Sequence, residues 1–198
     1  MRRIVAIEGI VHAGKSSLIA GLEKSVSLDV QCIAEYCDFA GGGKNFPGFP
    51  KDIDAALGAN IFFYDLESRR FDSFSESSNL VILDRSIFSV LAYHYATEFI
   101  SQGRIKCFEK SLNFFRKEFP GCFPDLCIYL SISTDEQRER HRNDGFYEGI
   151  LLNREFNDYL MEFYSKIGSL FPEIELVVID GRQDRQAILL QVEGLLNL

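Results

Sequence analysis

Two kinds of hydrophobic pattern alternate along the chain. Short runs that are almost wholly apolar are typical of strands buried on both faces of a parallel sheet. Longer stretches whose apolar residues recur every three or four positions are typical of amphipathic helices. Because the two patterns alternate, the sequence predicts an α/β fold, a five-stranded parallel sheet with helices on both faces, joined by right-handed crossovers.

The individual elements follow from these patterns and from their breaks. Four of the five expected strands follow from the pattern, at Arg3–Glu8, Val30–Ala34, Leu80–Leu83 and Leu176–Ile179, and the remaining one, Phe123–Leu130, rests on a motif described below. Helices are predicted at Lys15–Val26, from Asp52 as cap to about Phe74, at Ile87–Ser101, at Ile105–Phe119, from Thr134, at Asn153–Ser169 and at Gln183–Leu196. Arg69 or Arg70 of the long second helix either reaches the cleft or forms a surface ion pair. Between 36 and 51, three successive glycines and two Phe-Pro pairs predict a long loop.

The first strand leads directly into a phosphate-binding motif. The stretch Gly9-Ile10-Val11-His12-Ala13-Gly14-Lys15-Ser16 matches G-x-x-x-x-G-K-S between a strand and a helix. Its glycines allow backbone N–H groups to point into one concavity, and the following helix adds the positive end of its dipole. Lys15 is expected to reach the outer phosphates of a nucleotide, and the Ser16 hydroxyl to bind Mg²⁺. The predicted nucleotide contacts are Gly9, His12, Ala13, Gly14, Lys15, Ser16 and Ser17.

Two acidic residues and an arginine follow the neighbouring strands. Asp84 and Arg85 end the run Leu80–Leu83, and Glu35 follows the second strand. Ligands bind at the carboxyl ends of the strands in an open parallel sheet. Asp84 is therefore a candidate Mg²⁺ ligand, Arg85 a candidate for stabilising the transferred phosphoryl group, and Glu35 a candidate base or hydroxyl-binding group. The alternatives are a plain salt bridge for Asp84 and Arg85 and a solvated loop acid at Glu35.

Three arginines lie within five residues near the end of the helix that follows the fourth strand. Arg138, Arg140 and Arg142 precede the turn signal Asn143-Asp144-Gly145, and together they predict a mobile, arginine-bearing lid at about 138–152. Guanidinium groups that close over bound phosphates would expel water and stabilise the transition state. Two glutamates alternate with these arginines, so a solvated helix face is the other interpretation.

Composition narrows the class of partner. The net charge of −8 argues against a nucleic-acid-binding surface, which needs a basic patch. There is no run of about 20 apolar residues and no signal peptide, so we expect a cytoplasmic protein with no membrane partner. Five cysteines, an odd number with spacings unlike those of zinc sites, are expected to be reduced thiols. With no internal repeat and no linker, residues 1–198 are expected to form one domain.

Several stretches resemble P-loop nucleoside and nucleotide kinases. Asp84–His94 resembles the D-R-x-x-x-S-x-x-A-Y-Q stretch of thymidylate kinases, and its first half resembles E-R-S-I-F-S of deoxynucleoside kinases. Phe123–Leu130 resembles the thymidylate kinase strand that reads P-D-L-x-x-Y-L, and Glu139–Arg142 falls where that family carries the E-R-x-R of its lid. The resemblance runs from about Arg3 to Asp180. It implies the three-layer P-loop kinase fold with strand order 2-3-1-4-5 and the P-loop on the central strand.

The sequence departs from thymidylate kinases at positions that touch the phosphoryl acceptor in that family. Ile10-Val11-His12 replaces the usual acidic P-loop residue, Ala34-Glu35-Tyr36 stands in place of R-E-P, and His94 replaces the last Gln of A-Y-Q. The superfamily is therefore better defined than the acceptor. His12 is either a substrate contact or a loop histidine that faces solvent.

Motifs and resemblance together predict a kinase that moves the γ-phosphoryl group of Mg-ATP to a nucleoside or nucleoside monophosphate, with a deoxythymidine-type acceptor as the leading candidate. The predicted catalytic residues are Lys15, Glu35, Asp84, Arg85, Arg140 and Arg142. Arg138 is a further predicted nucleotide contact, and Ser16 and Asp84 are the predicted metal ligands. The alternatives are a kinase of the same fold that acts on another small molecule, and a nucleotide-dependent switch protein without a small acceptor. The resemblance also implies a homodimer.

Overall fold

The computed structural model describes residues 2–25, 29–144 and 149–198. All strands of its sheet are parallel and follow the order β2-β3-β1-β4-β5. The strands are β1 (Arg3–Glu8), β2 (Val30–Ile33), β3 (Leu80–Asp84), β4 (Leu126–Ser131) and β5 (Glu175–Asp180). The predicted five-stranded parallel sheet and its order 2-3-1-4-5 are confirmed.

Helices connect the strands and follow the last one. They are α1 (Lys15–Ser25), α2 (Tyr36–Phe39), α3 (Ile53–Asp72), α4 (Ile87–Ile100), α5 (Phe108–Glu118), α6 (Thr134–Asp144), α7 (Arg154–Ser165), α8 (Ile167–Leu170) and α9 (Arg185–Leu196). Short 3-10 helices lie at Gly43–Asn45, Pro120–Cys122 and Gly149–Leu152. Polar caps explain where the longer helices begin, because a side-chain oxygen accepts a backbone N–H of the first turn. These caps are Asp52, Ser86, Asn153 and Asp184.

The glycine run predicted a loop over the whole segment 36–51, but part of this segment is helical. One turn of helix, α2, forms before Gly41 and Gly42 adopt φ values of 73° and 114° and end it. The loop therefore begins after Phe39, four residues later than predicted. Two other predictions reach beyond the described residues, the first helix at Val26 and the lid turn at Gly145.

Two predicted helices differ from the structure by three residues or by an internal break. The helix expected at 105–119 begins only at Phe108. The helix expected at 153–169 is two helices, α7 and α8, because the Lys166 N–H donates to Phe163 O, three residues back rather than four. This tightened turn interrupts the regular helical ladder.

The parallel register brings three loops to one edge of the sheet. Ile7 of β1 pairs with Asp84 of β3, and Ile33 of β2 pairs with Leu83 of β3. The residues that follow these strands therefore leave the sheet side by side. The P-loop, Glu35 and Arg85 all belong to this edge.

Aromatic side chains fill the space between the sheet and the helices on one face. The Phe88 ring of α4 is fully buried, and its centroid lies 4.9 Å from that of Phe171 and 5.9 Å from that of Phe123. Burial of one such side chain is worth roughly 1.5–3 kcal/mol. All five cysteines are free thiols. Within the described ranges, no helix is both long enough and apolar enough to cross a membrane.

His94 of α4 is also buried, with 1 % of its surface exposed. Burial disfavours the imidazolium ion and lowers the pKa of His94 to about 4. In the unfolded chain the pKa returns to about 6.5, so acid protonates this histidine in the unfolded state first. The contribution of neutral His94 to stability is therefore present above pH 6.5 and is lost as the pH falls towards 4.

We predict that the free energy of unfolding falls between pH 7 and pH 5 by about 2 kcal/mol more in the wild type than in a His94→Leu variant. The extra loss comes from the proton that only the unfolded wild type binds readily. Urea titrations followed by circular dichroism at the two pH values measure it. Equal pH dependence in the two proteins would contradict the prediction.

Candidate active site

The glycine that begins the phosphate-binding loop has no room for a side chain. Gly9 has a φ of 147°, and a Cβ atom there would lie 2.7 Å from the carbonyl oxygen of Leu130. Gly14 and His12 also have positive φ, 101° and 64°. These conformations give the loop the tight curve that a phosphate cradle requires, directly before the N-terminus of α1.

A polar cavity of about 990 Å³ lies over this loop. Among the described residues, four cationic side chains line it, those of Lys15, Arg85, Arg140 and Arg185. Only two carboxylates do so there, from Glu35 and Asp184. The cavity is therefore a local positive focus in a chain whose net charge is −8. Its wall also contains the predicted nucleotide contacts His12, Ala13, Gly14, Ser16 and Ser17.

Lys15 lies against the loop itself. Its side chain is 6 % exposed, and its ammonium group donates to Ile10 O at 3.1 Å. Burial and the nearby Arg85 lower the pKa of Lys15 to about 8, although Asp84 and Glu35 oppose the change. At neutral pH the amine is still mostly protonated. It is held where it can donate to a phosphate group in the cradle.

Ser16 and Asp84 present oxygen atoms beside the loop. Ser16 Oγ lies 3.4 Å from Asp84 Oδ2, while Asp84 Oδ1 is buried with no hydrogen-bond partner in the described part of the chain. Burial raises the pKa of Asp84, and Lys15 and Arg85 oppose that rise. A hydroxyl and a carboxylate fit Mg²⁺, which takes oxygen ligands and keeps several waters. Among the described residues, no three His, Cys, Asp or Glu side chains group as a metal site.

An ion pair joins the residues that follow β2 and β3. Arg85 Nε donates to Glu35 Oε1 at 2.8 Å, and Arg85 Nη1 donates to Gly9 O at 3.1 Å and Ser89 Oγ at 3.2 Å. Burial opposes the ionisation of Glu35, but Arg85 and Lys15 outweigh it and lower the pKa of Glu35. Burial likewise opposes the charge of Arg85, whose pKa Glu35 raises. Both groups are therefore charged at neutral pH.

A second cavity, of about 290 Å³, lies on the other side of this ion pair. Its wall is largely aromatic and apolar, with Tyr36, Phe46, Phe63, Tyr93 and Leu160 among its residues. Glu35 and Arg85 line both cavities. The ion pair thus stands between a polar, cationic site and an apolar pocket that suits a small planar ligand.

One of the three predicted lid arginines contacts the phosphate-binding loop. Arg140 is held by Glu136 at 2.7 Å and donates to His12 O at 3.1 Å and Gly181 O at 2.8 Å. The next residue, His141, places Nδ1 3.3 Å from His12 Nε2. His12 therefore contacts α6 as well as lining the polar cavity.

Arg138 and Arg142 are exposed on α6, and in the described part of the chain neither lines the polar cavity. Their roles stay predictions. Of the predicted lid at 138–152, residues 145–148 lie outside the described residues and Gly149–Leu152 form a 3-10 helix.

Two buried charged groups next to the site were not among the predicted site residues. Glu8 ends β1, and its carboxylate accepts hydrogen bonds from Ser86, Ser89 and Tyr164. Arg70 of α3, for which the sequence left a cleft contact and a surface ion pair open, is fully buried. A charged residue within an apolar run was a signal for Glu8. The helical period of α3 contained no comparable signal for Arg70.

Comparison with known proteins identifies the family of the chain. The family model for deoxynucleoside kinases matches residues 5–193. No match was found among curated protein sequences. Among solved structures, the chain is similar to deoxyadenosine kinase from M. mycoides with bound dATP, at a TM-score of 0.72 and 18 % identity over 100 % of both chains. The same kinase with bound dCTP has a TM-score of 0.72 and 21 % identity, with 98 % of each chain covered.

Thymidylate kinase from Candida albicans is similar as well, with a TM-score of 0.71 and 20 % identity over 99 % of this chain and 91 % of that one. At these identities the solved structures establish the fold, and the family match establishes the lineage. The predicted resemblance to P-loop nucleoside and nucleotide kinases is confirmed. With a phosphate-binding loop beside an apolar pocket and a family match over most of its length, the chain belongs to the deoxynucleoside kinase family and is a nucleoside kinase.

Proposed function

We propose that the enzyme transfers the γ-phosphoryl group of ATP to the 5′-hydroxyl of a deoxynucleoside. The observation that carries this proposal is the position of the Glu35–Arg85 ion pair, which lines both the cationic cavity and the apolar pocket. A phosphate donor in the first and a nucleoside base in the second would bring the reacting atoms together at this pair. The match to the deoxynucleoside kinase family supports a deoxynucleoside as the acceptor.

On the donor side, positive charge holds the triphosphate. The loop amides and the ammonium group of Lys15 cradle the outer phosphates, and Arg140 lies beside them against His12 O. Guanidinium groups here balance the negative charge that moves to the leaving ADP as the bond from the γ-phosphorus breaks. Arg138 and Arg142 would take the same role after a movement of α6 towards the cavity.

On the acceptor side, Glu35 takes the proton. The 5′-hydroxyl oxygen forms a bond to the γ-phosphorus while its proton passes to a Glu35 carboxylate oxygen. Because its pKa is lowered, Glu35 is ionised and ready to accept a hydrogen bond, although it is a weak base. A loose transition state needs little proton abstraction before bond formation, so orientation of the hydroxyl is the larger part of its contribution.

Ser16 and Asp84 are the residues that would hold Mg²⁺. The fit rests on the buried Asp84 Oδ1 that lacks a partner among the described residues and on the Ser16 hydroxyl 3.4 Å from the other oxygen. Bound there, the ion would neutralise phosphate charge and orient the leaving group. The remaining ligands would be phosphate oxygens and water.

Three broader proposals accompany this function. Residues 1–198 form one kinase domain, because one cluster of buried side chains includes residues from the helices on both faces of the sheet. The free thiols of the chain suit the reducing cytoplasm. The acidic net charge favours small substrates over nucleic acid. A homodimer stays a prediction from the resemblance.

The proposal is tested by measuring ADP release from Mg-ATP against a panel of deoxynucleosides, nucleoside monophosphates and unrelated hydroxyl compounds, with Lys15→Ala as the blank. A deoxynucleoside, of the deoxythymidine type or another, should raise the rate well above the blank. Stimulation by monophosphates alone would overturn the proposed acceptor. The base preference follows from the same panel.

We predict that Glu35→Gln lowers kcat for the preferred nucleoside by about 10²- to 10⁴-fold, because the amide orients the hydroxyl less firmly than a charged carboxylate and cannot take the proton. The KM values for nucleoside and ATP should change little. Steady-state kinetics with Asp38→Asn, which removes an exposed carboxylate of α2, the short helix that directly follows Glu35, provide the matched control. A rise in KM with kcat unchanged would point to a monophosphate acceptor instead.

We predict that Asp84→Asn raises the Mg²⁺ concentration needed for half-maximal rate by at least about 10-fold, because a charged oxygen ligand is lost. Ser16→Ala should act in the same direction. The rate is measured at fixed ATP over a range of free Mg²⁺. Asp54→Asn, an exposed acid at the start of α3, is the control that should leave the Mg²⁺ dependence unchanged.

A further inference from the structure

Arg70 is a fully buried cation in the last turn of α3. Its Nη1 donates to Glu67 Oε2 at 2.8 Å, which compensates its charge. Its Nη2 donates to two backbone oxygens, Asp84 O at 3.0 Å and Arg85 O at 2.9 Å. One guanidinium group therefore clamps the peptide units at the end of β3.

That clamp acts on a strained residue. Arg85 has a φ of 62°, in the left-handed region, which costs a residue with a side chain roughly 1–2 kcal/mol. Such a conformation persists only where the surroundings hold it. The Arg85 N–H donates to Ile7 O at 3.1 Å, and Arg85 O accepts from Arg70. Hydrogen bonds from β1 and from Arg70 therefore hold the residue on both sides. Its conformation sends the side chain to Glu35.

The same guanidinium also contacts the residue that follows Glu35, the other half of the ion pair. It lies over the ring of Tyr36, 4.4 Å from the centroid, and Tyr36 directly follows Glu35 in the chain. The Tyr36 ring is buried and packs edge-on against Phe63, also on α3. Arg70 thus contacts the neighbour of Glu35 and the carbonyl of Arg85 at once.

A buried salt bridge such as Glu67–Arg70 is a poor source of stability, because desolvation costs about as much as the attraction returns. This pair fixes the positions of two carbonyl groups and one aromatic ring. Apolar side chains of the same size would not do so. We propose that Arg70 is a positioning residue that sets the distance between Glu35 and Arg85. It acts through the Asp84 and Arg85 carbonyls and through Tyr36, and the inference rests on the proposed role of Glu35.

The first test is Arg70→Lys, which keeps a positive charge beside Glu67 but loses the planar fork that spans two carbonyls and an aromatic face. We expect kcat to fall by about 10²-fold, the effect of misplacing a reacting group by about 1 Å, with KM for ATP unchanged. Arg69→Lys is the matched control, since the neighbouring Arg69 side chain is 53 % exposed, and it should keep the wild-type kcat.

A double-mutant cycle separates positioning from mere support of the fold. In a Glu35→Gln background, Arg70→Lys should lower kcat by less than about threefold, because the group that it positions is already disabled. A purely structural role would lower the melting temperature of both backgrounds equally while leaving the kcat of folded enzyme unchanged. Equal loss of kcat in both backgrounds would overturn the inference.

The joint variant Glu67→Met/Arg70→Met provides the same test if Arg70→Lys does not fold, because it removes both buried charges together. A folded joint variant with wild-type kcat would overturn the inference, as would the failure of both variants to fold. If Glu35→Gln keeps its kcat, the proposed function itself is wrong. If Glu35→Gln loses kcat but the Arg70 variants do not, only the role of Arg70 is wrong.

Discussion

The buried carboxylate of Glu8 is the interaction on which the frame of the active site depends. It accepts hydrogen bonds from the Ser86 N–H and hydroxyl at 2.8 and 2.7 Å, from Ser89 at 2.6 Å and from Tyr164 at 2.8 Å. A carboxyl group with no exposed surface is costly to bury unless its oxygens are satisfied in this way. β1, α4 and α7 must therefore meet at one point. The phosphate-binding loop begins at the next residue, so its position is set by the same carboxylate.

The Glu35–Arg85 ion pair divides two environments with opposite requirements. On one side, four arginine and lysine side chains among the described residues face a cavity for anions. On the other, aromatic rings surround a pocket in which a charged ligand would be poorly solvated. A charged pair that touches both sides can meet a hydroxyl at the end of an apolar ligand and a phosphate at the end of an anionic one. The side chains of Arg85 and Glu35 are 14 and 20 % exposed, and ligands bound on both sides would exclude water from them, which favours transfer over hydrolysis.

Backbone strain is concentrated at the same junction. Among the described residues, four residues other than glycine have positive φ, and two of them, His12 and Arg85, belong to the site. Both are held by hydrogen bonds from elsewhere, His12 O by Arg140 and Arg85 O by Arg70. Contacts from distant helices thus stabilise conformations that the loops would not adopt alone. Such strain is typical of sites whose groups must be in place before substrate binds.

Much of the fold follows from short-range information in the sequence. Wholly apolar runs indicate strands buried on both faces. Because these strands alternate with helices, the sequence favours a parallel sheet with one of a few topologies. The loop Gly9–Ser16 and the acid at Asp84 were predictable because their chemistry depends on residues close in sequence to a strand end. Capping at Asp52 was predictable for the same reason, since its side chain accepts from a backbone N–H three residues on.

Tertiary structure alone decided which distant side chains meet. Glu35 and Arg85 are 50 residues apart, and their contact depends on the register of β2 on β3. The packing of α3 and α6 against the sheet decides that Arg70 is buried. It also decides that Arg140, of the three arginines, contacts the phosphate-binding loop. Periodicity reports that a residue is buried or exposed on its own element. It carries no information about which group on another element will lie opposite, because that is set by the packing of the whole chain.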